Sequence, residues 1–471
     1  MTPPHEADVV VIGAGPAGIG AALEAARAGA KVRVIDGYSA AGGQYWMQPA
    51  SHFQSNGTQE KEGAARVNQL TELGVVLHNQ AEVWGVLPGW RVLARGPGDE
   101  ALELRGKVLV IGTGAHDRVY PFPGWTLPGV MTAGGGQRFA KLSGRSPGGR
   151  VVVAGSGIFL WAVAASVLKM GGHLVAMVEA QKNRVAMLGL LAQYPEKWSE
   201  AARLLAPVLR ARTPLLSGQV VKAAKGDGRL EAIAVGPLES GGAMKGPDRD
   251  VEADCLLVSH GFRPLVEITA LLGCEHDYDP EKGGWYCKAE AETGTTSVEG
   301  IFAAGEVTGI AGSRPGFLRG SLAGLAAAEY IGCSPSNLRK RRRRLSRDLV
   351  RAQAFATELG RLFKPPPGLT SLVRPETLVC RCEEVAWQDV RAAWLDGADS
   401  LYGIKLWSRA GMGRCQGRIC GDSLAALLAD EFSVKEDQIG FNRPRLPLRP
   451  VPLTLASNAL SGSDTNTSQP E

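Results

Sequence analysis

The chain has 471 residues, 44% of them apolar and 21% charged, a formal net charge of +5, 61 glycines and 6% aromatics. That length exceeds one hydrophobic core and the apolar content fills two or three domains, which excludes a disordered chain and suits a glycine-rich α/β protein. Eight irregularly spaced cysteines are too dilute for a secreted disulfide framework, and the start MTPPHEADVVVIG has no basic or apolar signal regions. Cytoplasmic residence is expected, with peripheral contact at the inner face of a membrane left open.

Ala7 to Gly37 reads as strand, glycine turn, alanine-rich helix, second strand and terminal acid. Gly13 makes the tight turn and Gly15 lets backbone approach a pyrophosphate. Pro16 and Ala17 open the helix, whose N–H groups face the same place, and Gly18 lets the helix pack on the sheet. Asp36 closes the second strand, where a carboxylate can accept from a ribose. The turn alone does not choose between NAD and FAD. Two later apolar strands bear on the choice: VLVIGTGA, ending in Thr113 and Gly114, and GIFAAGEVT, ending in Gly305 and Glu306.

These segments in this order resemble the two-dinucleotide-binding-domain flavoproteins, the group containing thioredoxin reductase and ferredoxin reductases. The resemblance implies FAD in the first unit, with Glu306 standing where that group has Asp near the flavin ribityl and pyrophosphate. It implies a flavin-adjacent loop at GGQYW, including Gly43 and Gln44, where a plain surface turn is the other reading. It also places the strand AEVWGV, and so Val83, near the adenine.

Arg150 to Ala180 repeats strand, Gly155-x-Gly157, helix, strand and Glu179, but Leu160 stands at the third glycine position, flanked by Phe159 and Trp161. A leucine there is expected to push the helix from the sheet or to fill space near a cofactor. An architectural unit that has lost its ligand or holds another nucleotide is favoured over an NAD site, and Glu179 disfavours a 2′-phosphate. The uncharged run Val151 to Leu168 is long enough to raise a membrane span, but its Gly-Ser-Gly reads better as a buried strand, a turn and a core helix. No cysteine pair flanks the flavin segments. Cys255, Cys274, Cys287 and Cys333 are isolated in sequence and read as small buried hydrophobes. His116 and His260 read as structural hydrogen-bonding groups near a nucleotide, and Arg314 as a flavin or anion contact or part of a capping loop. No catalytic residue is identified.

Arg339 to Arg351 holds eight basic residues and one acid, which leaves the rest of the chain at −2. A solvated helix face is the first reading and a docking face for an acidic protein the second; no nucleic-acid motif accompanies it. Lys364 to Glu376 is a proline-rich linker. Beyond it lie Cys380 and Cys382 in LVCRCEEV, then Cys415 and Cys420 in SRAGMGRCQGRICG. Four cysteines in two close pairs fit zinc or a [2Fe-2S] cluster, and a disulfide is disfavoured. The iron–sulfur reading is preferred. Glycines 411, 413, 417 and 421 free N–H groups for the sulfurs, Arg414 and Arg418 offset an anionic cluster, and a one-electron centre gives flavin electrons an exit.

CRCEEV with GIKLWSRAGMGRCQGRICG resembles the bacterioferritin-associated-ferredoxin type of domain. It is found in the FAD-containing subunits of opine oxidases, hydrogen cyanide synthase and related proline or hydroxyproline dehydrogenases. The GGQ loop, the PGVMTAGGGQ stretch (128–137) and the ending RPRLPLRPVPL extend the likeness over nearly the whole chain. The expected fold is α/β: two Rossmann-like three-layer dinucleotide-binding units of thioredoxin-reductase type plus a small helical iron–sulfur domain. The expected boundaries are 1–119 with 256–335 for FAD, 120–255 for the second unit, 336–375 for the basic helix and linker, 376–440 for the cysteine domain and 441–471 for a tail. The resemblance further implies an electron relay in a hetero-oligomeric amine dehydrogenase. A separate D-amino-acid-oxidase-like FAD subunit removes hydride, an interface FMN and a small ferredoxin-like subunit complete the assembly, and no nucleic acid takes part. The competing reading is a self-sufficient NAD(P)H-dependent reductase.

Overall fold

The computed structural model describes residues 4–48, 57–182, 184–238, 247–335 and 337–461. The chain begins as β1 (His5–Ile12), α1 (Pro16–Arg27), β2 (Val32–Ile35), α2 (Thr58–Glu72), β3 (Val76–His78), β4 (Glu82–Leu87), β5 (Arg91–Arg95) and β6 (Ala101–Ile111). These strands form one sheet in the order β3-β2-β1-β6-β5-β4. The β3 to β6 part is parallel and the β6-β5-β4 part is an antiparallel flap. Val9 to Ile12 are buried on both faces, which is why this strand is an unbroken apolar run rather than an alternating one.

After the short β7 (Ala115–Asp117), the second unit runs through β8 (Val130–Thr132), α3 (Ala133–Ser143), β9 (Arg150–Gly155), α4 (Phe159–Lys169), β10 (His173–Glu179), α5 (Arg184–Gln193) and α6 (Trp198–Arg210). It continues as β11 (Leu215–Ser217), β12 (Val220–Lys225), β13 (Ala232–Gly236), β14 (Arg249–Glu252) and β15 (Cys255–Ser259). Its parallel sheet has the order β11-β10-β9-β15-β8, and β12 to β14 form an antiparallel sheet of their own. Because β15 lies between β9 and β8, it belongs to this unit. The return to the first unit therefore follows Ser259 rather than starting at 256 as expected. The run Val151 to Leu168 is β9, a turn and an eleven-residue helix. Among the described residues no helix is long and apolar enough to cross a membrane.

β16 (Phe262–Pro264) pairs with β7 and forms the two-stranded joint between the units. Then come α7 (Glu267–Leu271), β17 (His276–Asp279), β18 (Gly284–Cys287), β19 (Ile301–Ala303), which adds to β6, and α8 (Ser313–Tyr330). α8 lies directly on α1, because a Cβ on Gly320 or Gly324 would overlap the carbonyls of Ala17 or Ala21. α9 (Leu338–Leu362) covers α8 with Leu345 and Leu349 against Leu318 and Leu322.

The last unit comprises β20 (Leu378–Cys380), β21 (Val385–Ala386), α10 (Trp387–Leu395), α11 (Leu401–Ser408), α12 (Gly421–Phe432) and α13 (Glu436–Ile439), around a core that includes Val379, Trp387, Ile404 and Leu428. The segment beyond it folds back on the first unit: Leu448 N–H donates to the Trp84 carbonyl at 2.7 Å, and Phe441 packs on Trp285. It ends in α14 (Leu453–Ser461).

Candidate functional site

The first glycine turn is assembled from three strand ends. Gly13, at φ +102°, lies so close to the end of β6 that a Cβ would overlap the Gly112 carbonyl, and a Cβ on Gly18 would overlap the Gly13 carbonyl. Thr113 donates its hydroxyl to Leu265 O at 2.7 Å, and Gly114 O accepts from Leu265 N–H at 3.0 Å. Asp36 accepts from Ala14 N–H at 2.5 Å and Tyr38 N–H at 2.7 Å. Burial raises its carboxyl pKa, opposed by those two N–H groups and by Arg138. Gly43 closes over the turn at φ +58°, where a Cβ would run into Gly15 Cα, and the exposed Gln44 donates to the Tyr38 hydroxyl at 3.2 Å. Ala81 N–H reaches Asp36 O at 2.9 Å, which brings the bulged start of β4, with Val83, beside the acid.

α8 brings in the other side of the site. A Cβ on Gly305 would overlap that of Ala17, and Glu306 accepts from Ala311 and Gly312 N–H at 3.3 and 2.6 Å, at the start of α8. Burial raises the Glu306 carboxyl pKa against these N–H groups and Arg319. The first turn of α1 carries no side-chain cap and no acid, so its N–H groups and dipole end stay available. A groove lined by backbone too close for any Cβ, with an uncapped helix N-terminus, fits a dinucleotide pyrophosphate. Arg314, in the first turn of α8, is exposed.

The second turn copies the first and then departs from it. Glu179 accepts from Gly157 and Gln181 N–H at 3.3 and 3.2 Å, as Asp36 does in the first unit, and burial pushes it up to about 7. Gly155 and Gly157 keep positive φ, but α4 starts four residues after Gly155, whereas α1 starts three after Gly13. Leu160 turns inward and is fully buried with Val151, Val153 and Val163. It therefore fills the sheet–helix space; Phe159, at the helix start, packs its ring 4.9 Å from that of Phe262. His260 is buried, pushed down to about 4 by that burial, with Nδ1 3.3 Å from the Ser156 hydroxyl. His116 bonds the Asp117 carbonyl at 3.2 Å. Both contacts are structural.

The four late cysteines gather from three segments: Cys380 ends β20, Cys382 follows it, Cys415 lies in the loop after α11 and Cys420 immediately precedes α12. Their thiols lie close enough to act on one another electrostatically: Cys380, Cys382 and Cys415 all raise the pKa of Cys420. The Cys420 thiol, followed by the N–H groups of Gly411, Glu383 and Cys382, holds Cys380 down to about 6; the Gly411 N–H is 3.4 Å from its sulfur. Among the described residues no three metal-ligating side chains converge closely enough for one ion. The Gly411 N–H turned to the Cys380 sulfur is the kind of backbone donor that stabilises a thiolate ligand. A Cβ on Gly413 would overlap that of Cys382, while Gly417 and Gly421 make room for the Asn442 amide.

Arg418 is 6% exposed, its Nε lies 3.2 Å from Glu267, and its other donors cap Cys415 O and Leu448 O, so Glu267 is its main countercharge and Cys415 a weaker one. Burial pushes its pKa down to about 10. Arg414 is exposed. Sequence reading missed the residues that dock this unit on the joint. Arg263 Nε donates to Arg418 O at 3.0 Å, Trp125 Nε1 to Leu378 O at 2.5 Å, and Tyr278 to Glu436 at 2.6 Å. It missed as well that Cys274 and Cys287 lie in the same hydrophobic core cluster, where Cys274 Sγ is 3.6 Å from the Thr296 hydroxyl. No local pattern signals any of these, since each partner lies far away in sequence.

Two nucleotide-type turns joined by a short antiparallel pair define a two-domain oxidoreductase, and residues 7–330 match the family described as pyridine nucleotide-disulphide oxidoreductase. Residues 374–459 match the sarcosine oxidase A3 domain. The chain is 32% identical to the A subunit of opine oxidase from Rhizobium meliloti (strain 1021), covering 95% of this chain and 97% of that protein. It is 30% identical to the HcnB subunit of hydrogen cyanide synthase from Pseudomonas aeruginosa, covering 95% and 98%. The solved L-proline dehydrogenase from P. horikoshii superimposes with a TM-score of 0.70 at 20% identity, covering 97% of this chain and 80% of that one, which shows the same fold. The chain belongs to the family of the opine oxidase A subunits and is an FAD-dependent oxidoreductase.

Proposed function

We propose that this chain is the electron-transferring flavoprotein and iron–sulfur subunit of a hetero-oligomeric amine dehydrogenase. FAD lies along Gly13, Gly15, Pro16, Ala17, Gly18, Asp36, Gly43, Gln44, Val83, Thr113, Gly114, Gly305 and Glu306. Cys380, Cys382, Cys415 and Cys420 hold a [2Fe-2S] cluster. Bound FAD supplies two-electron chemistry and the cluster one-electron chemistry; the protein supplies spacing and electrostatics. Asp36 and Glu306 present carboxylates to ribose and ribityl hydroxyls. The N–H groups of Gly411 and Glu383 stabilise thiolate at Cys380. Gly155, Gly157 and Glu179 form an architectural unit, whose helix start is covered by Phe159 and Phe262.

The observation that carries this reading is the position of the loop that bears Cys415 and Cys420. Their loop is bonded through Arg418 O to Arg263, and Leu265, two residues on, receives the Thr113 hydroxyl at the first glycine turn. This short chain of contacts supports a direct route between a one-electron site and the flavin turn. The amine is oxidised by a separate D-amino-acid-oxidase-like subunit; opine, D-amino acid, proline and glycine types are the candidate substrates, of which the relatives' names print opine and proline. The test is an anaerobic spectrum of the purified chain and of the complex with its amine-oxidising subunit. Flavin and cluster bands that bleach with amine only in the complex support the relay. Bleaching of the isolated chain by NADH would overturn it in favour of a self-sufficient reductase.

A further inference from the structure

α9 carries the basic run, and its two faces are sharply separated. At about 100° per residue, Leu338, Arg341, Arg342, Leu345, Leu349 and Ala352 fall within one arc of about 100°. That arc faces the protein: the two inner leucines pack on α8, Arg341 makes two bonds of 2.7 and 2.6 Å to buried Glu24, and Arg342 bonds Glu329 at 2.6 Å. Arg339, Arg343, Arg347 and Arg351, spaced four apart, fall with Lys340 and Arg344 in the opposite arc of about 140°. All six are exposed, and among the described residues their one ion pair is Arg344 with Asp348 at 4.0 Å. The row is about 18 Å long.

This face lacks the anchors of a specific protein interface, which needs aromatic or aliphatic side chains buried at its centre; it offers exposed Val350 and Ala354. It also has no aromatic platform for nucleic-acid bases. A surface that supplies negative charge without fixed shape matches it, because mobile headgroups adjust to the cations. We propose that the outer face of α9 docks the chain, peripherally and without insertion, on an anionic phospholipid bilayer. The proposal does not depend on the identity of the redox partner.

The test is co-sedimentation of the full chain with phosphatidylglycerol–phosphatidylcholine vesicles and with pure phosphatidylcholine vesicles. Binding is expected only to the anionic vesicles and should fall steeply between about 0.05 and about 0.3 M salt. The triple variant R343Q/R347Q/R351Q should lower the partition coefficient about 100-fold, while R145Q/R212Q/R229Q, with the same charge loss at other exposed sites, should leave it within about threefold. Three results would each overturn the proposal: no binding to anionic vesicles at low salt, equal loss in the two triple variants, or capture by soluble polyglutamate without vesicle binding. The last result would assign the face to an acidic protein.

Discussion

Replacing Glu267 with Gln tests how the cysteine unit is held on the joint between the nucleotide units. Its carboxylate lies 3.2 Å from Arg418 and 3.5 Å from Arg263, and the three side chains are 17%, 7% and 11% exposed. At an effective dielectric of about 20, a unit charge pair at that separation is worth about 5 kcal/mol before desolvation. Removing the anion leaves two guanidinium groups buried without a counter-charge, for which about 3–5 kcal/mol is the expected loss. The Arg418 pKa, already pushed down to about 10 by burial, should fall further. Because Arg418 also caps Cys415 O, the weakened region should be the cysteine unit rather than the first glycine turn. Hydrogen exchange on the full chain reads this locally: amides of α11 and α12 should lose protection, while those of β1 and α1 keep it. The double variant E267Q/R418M should recover most of the loss, because it removes the stranded charge as well. If E267Q stays within about 1 kcal/mol of wild type, the buried triad is not what anchors the unit.

Three further outcomes are expected. Cys415→Ser should remove the iron absorbance and keep the flavin; a variant with full iron content would refute the ligand assignment. Glu179 is an acid whose folded pKa, about 7, lies above its ordinary value of 4.5. Its ionisation therefore opposes folding as pH rises from about 4.5 to 7, by up to about 3 kcal/mol at pH 8. Glu179→Gln should raise the thermal midpoint at pH 8 and leave it unchanged at pH 4. Gly320→Ala should destabilise by about 1–3 kcal/mol and weaken FAD retention, because its methyl group would overlap the Ala17 carbonyl at the start of α1; an unchanged melting curve would show that α1 and α8 can separate freely.

The sequence alone determined the features that depend on neighbours along the chain. The turn at Gly13 to Gly18, the acid at Asp36, the copy at Gly155 with its intruding Leu160, and the cysteine spacing are all local. Each follows from which residues can make a tight turn, start a helix or lie a fixed distance apart. Tertiary structure decided what depends on elements far apart in sequence. It gathers the four late cysteines from three segments into one small unit and ties Arg418 to Glu267. It assigns β15 to the second sheet, because a strand's place is set by the neighbours it bonds and not by its position in the chain. It also divides the basic run between ion pairs to Glu24 and Glu329 and an open outer face. A run of arginines has the same composition on every face of its helix, and only the packing of Leu345 and Leu349 on α8 fixes which of them turn outward.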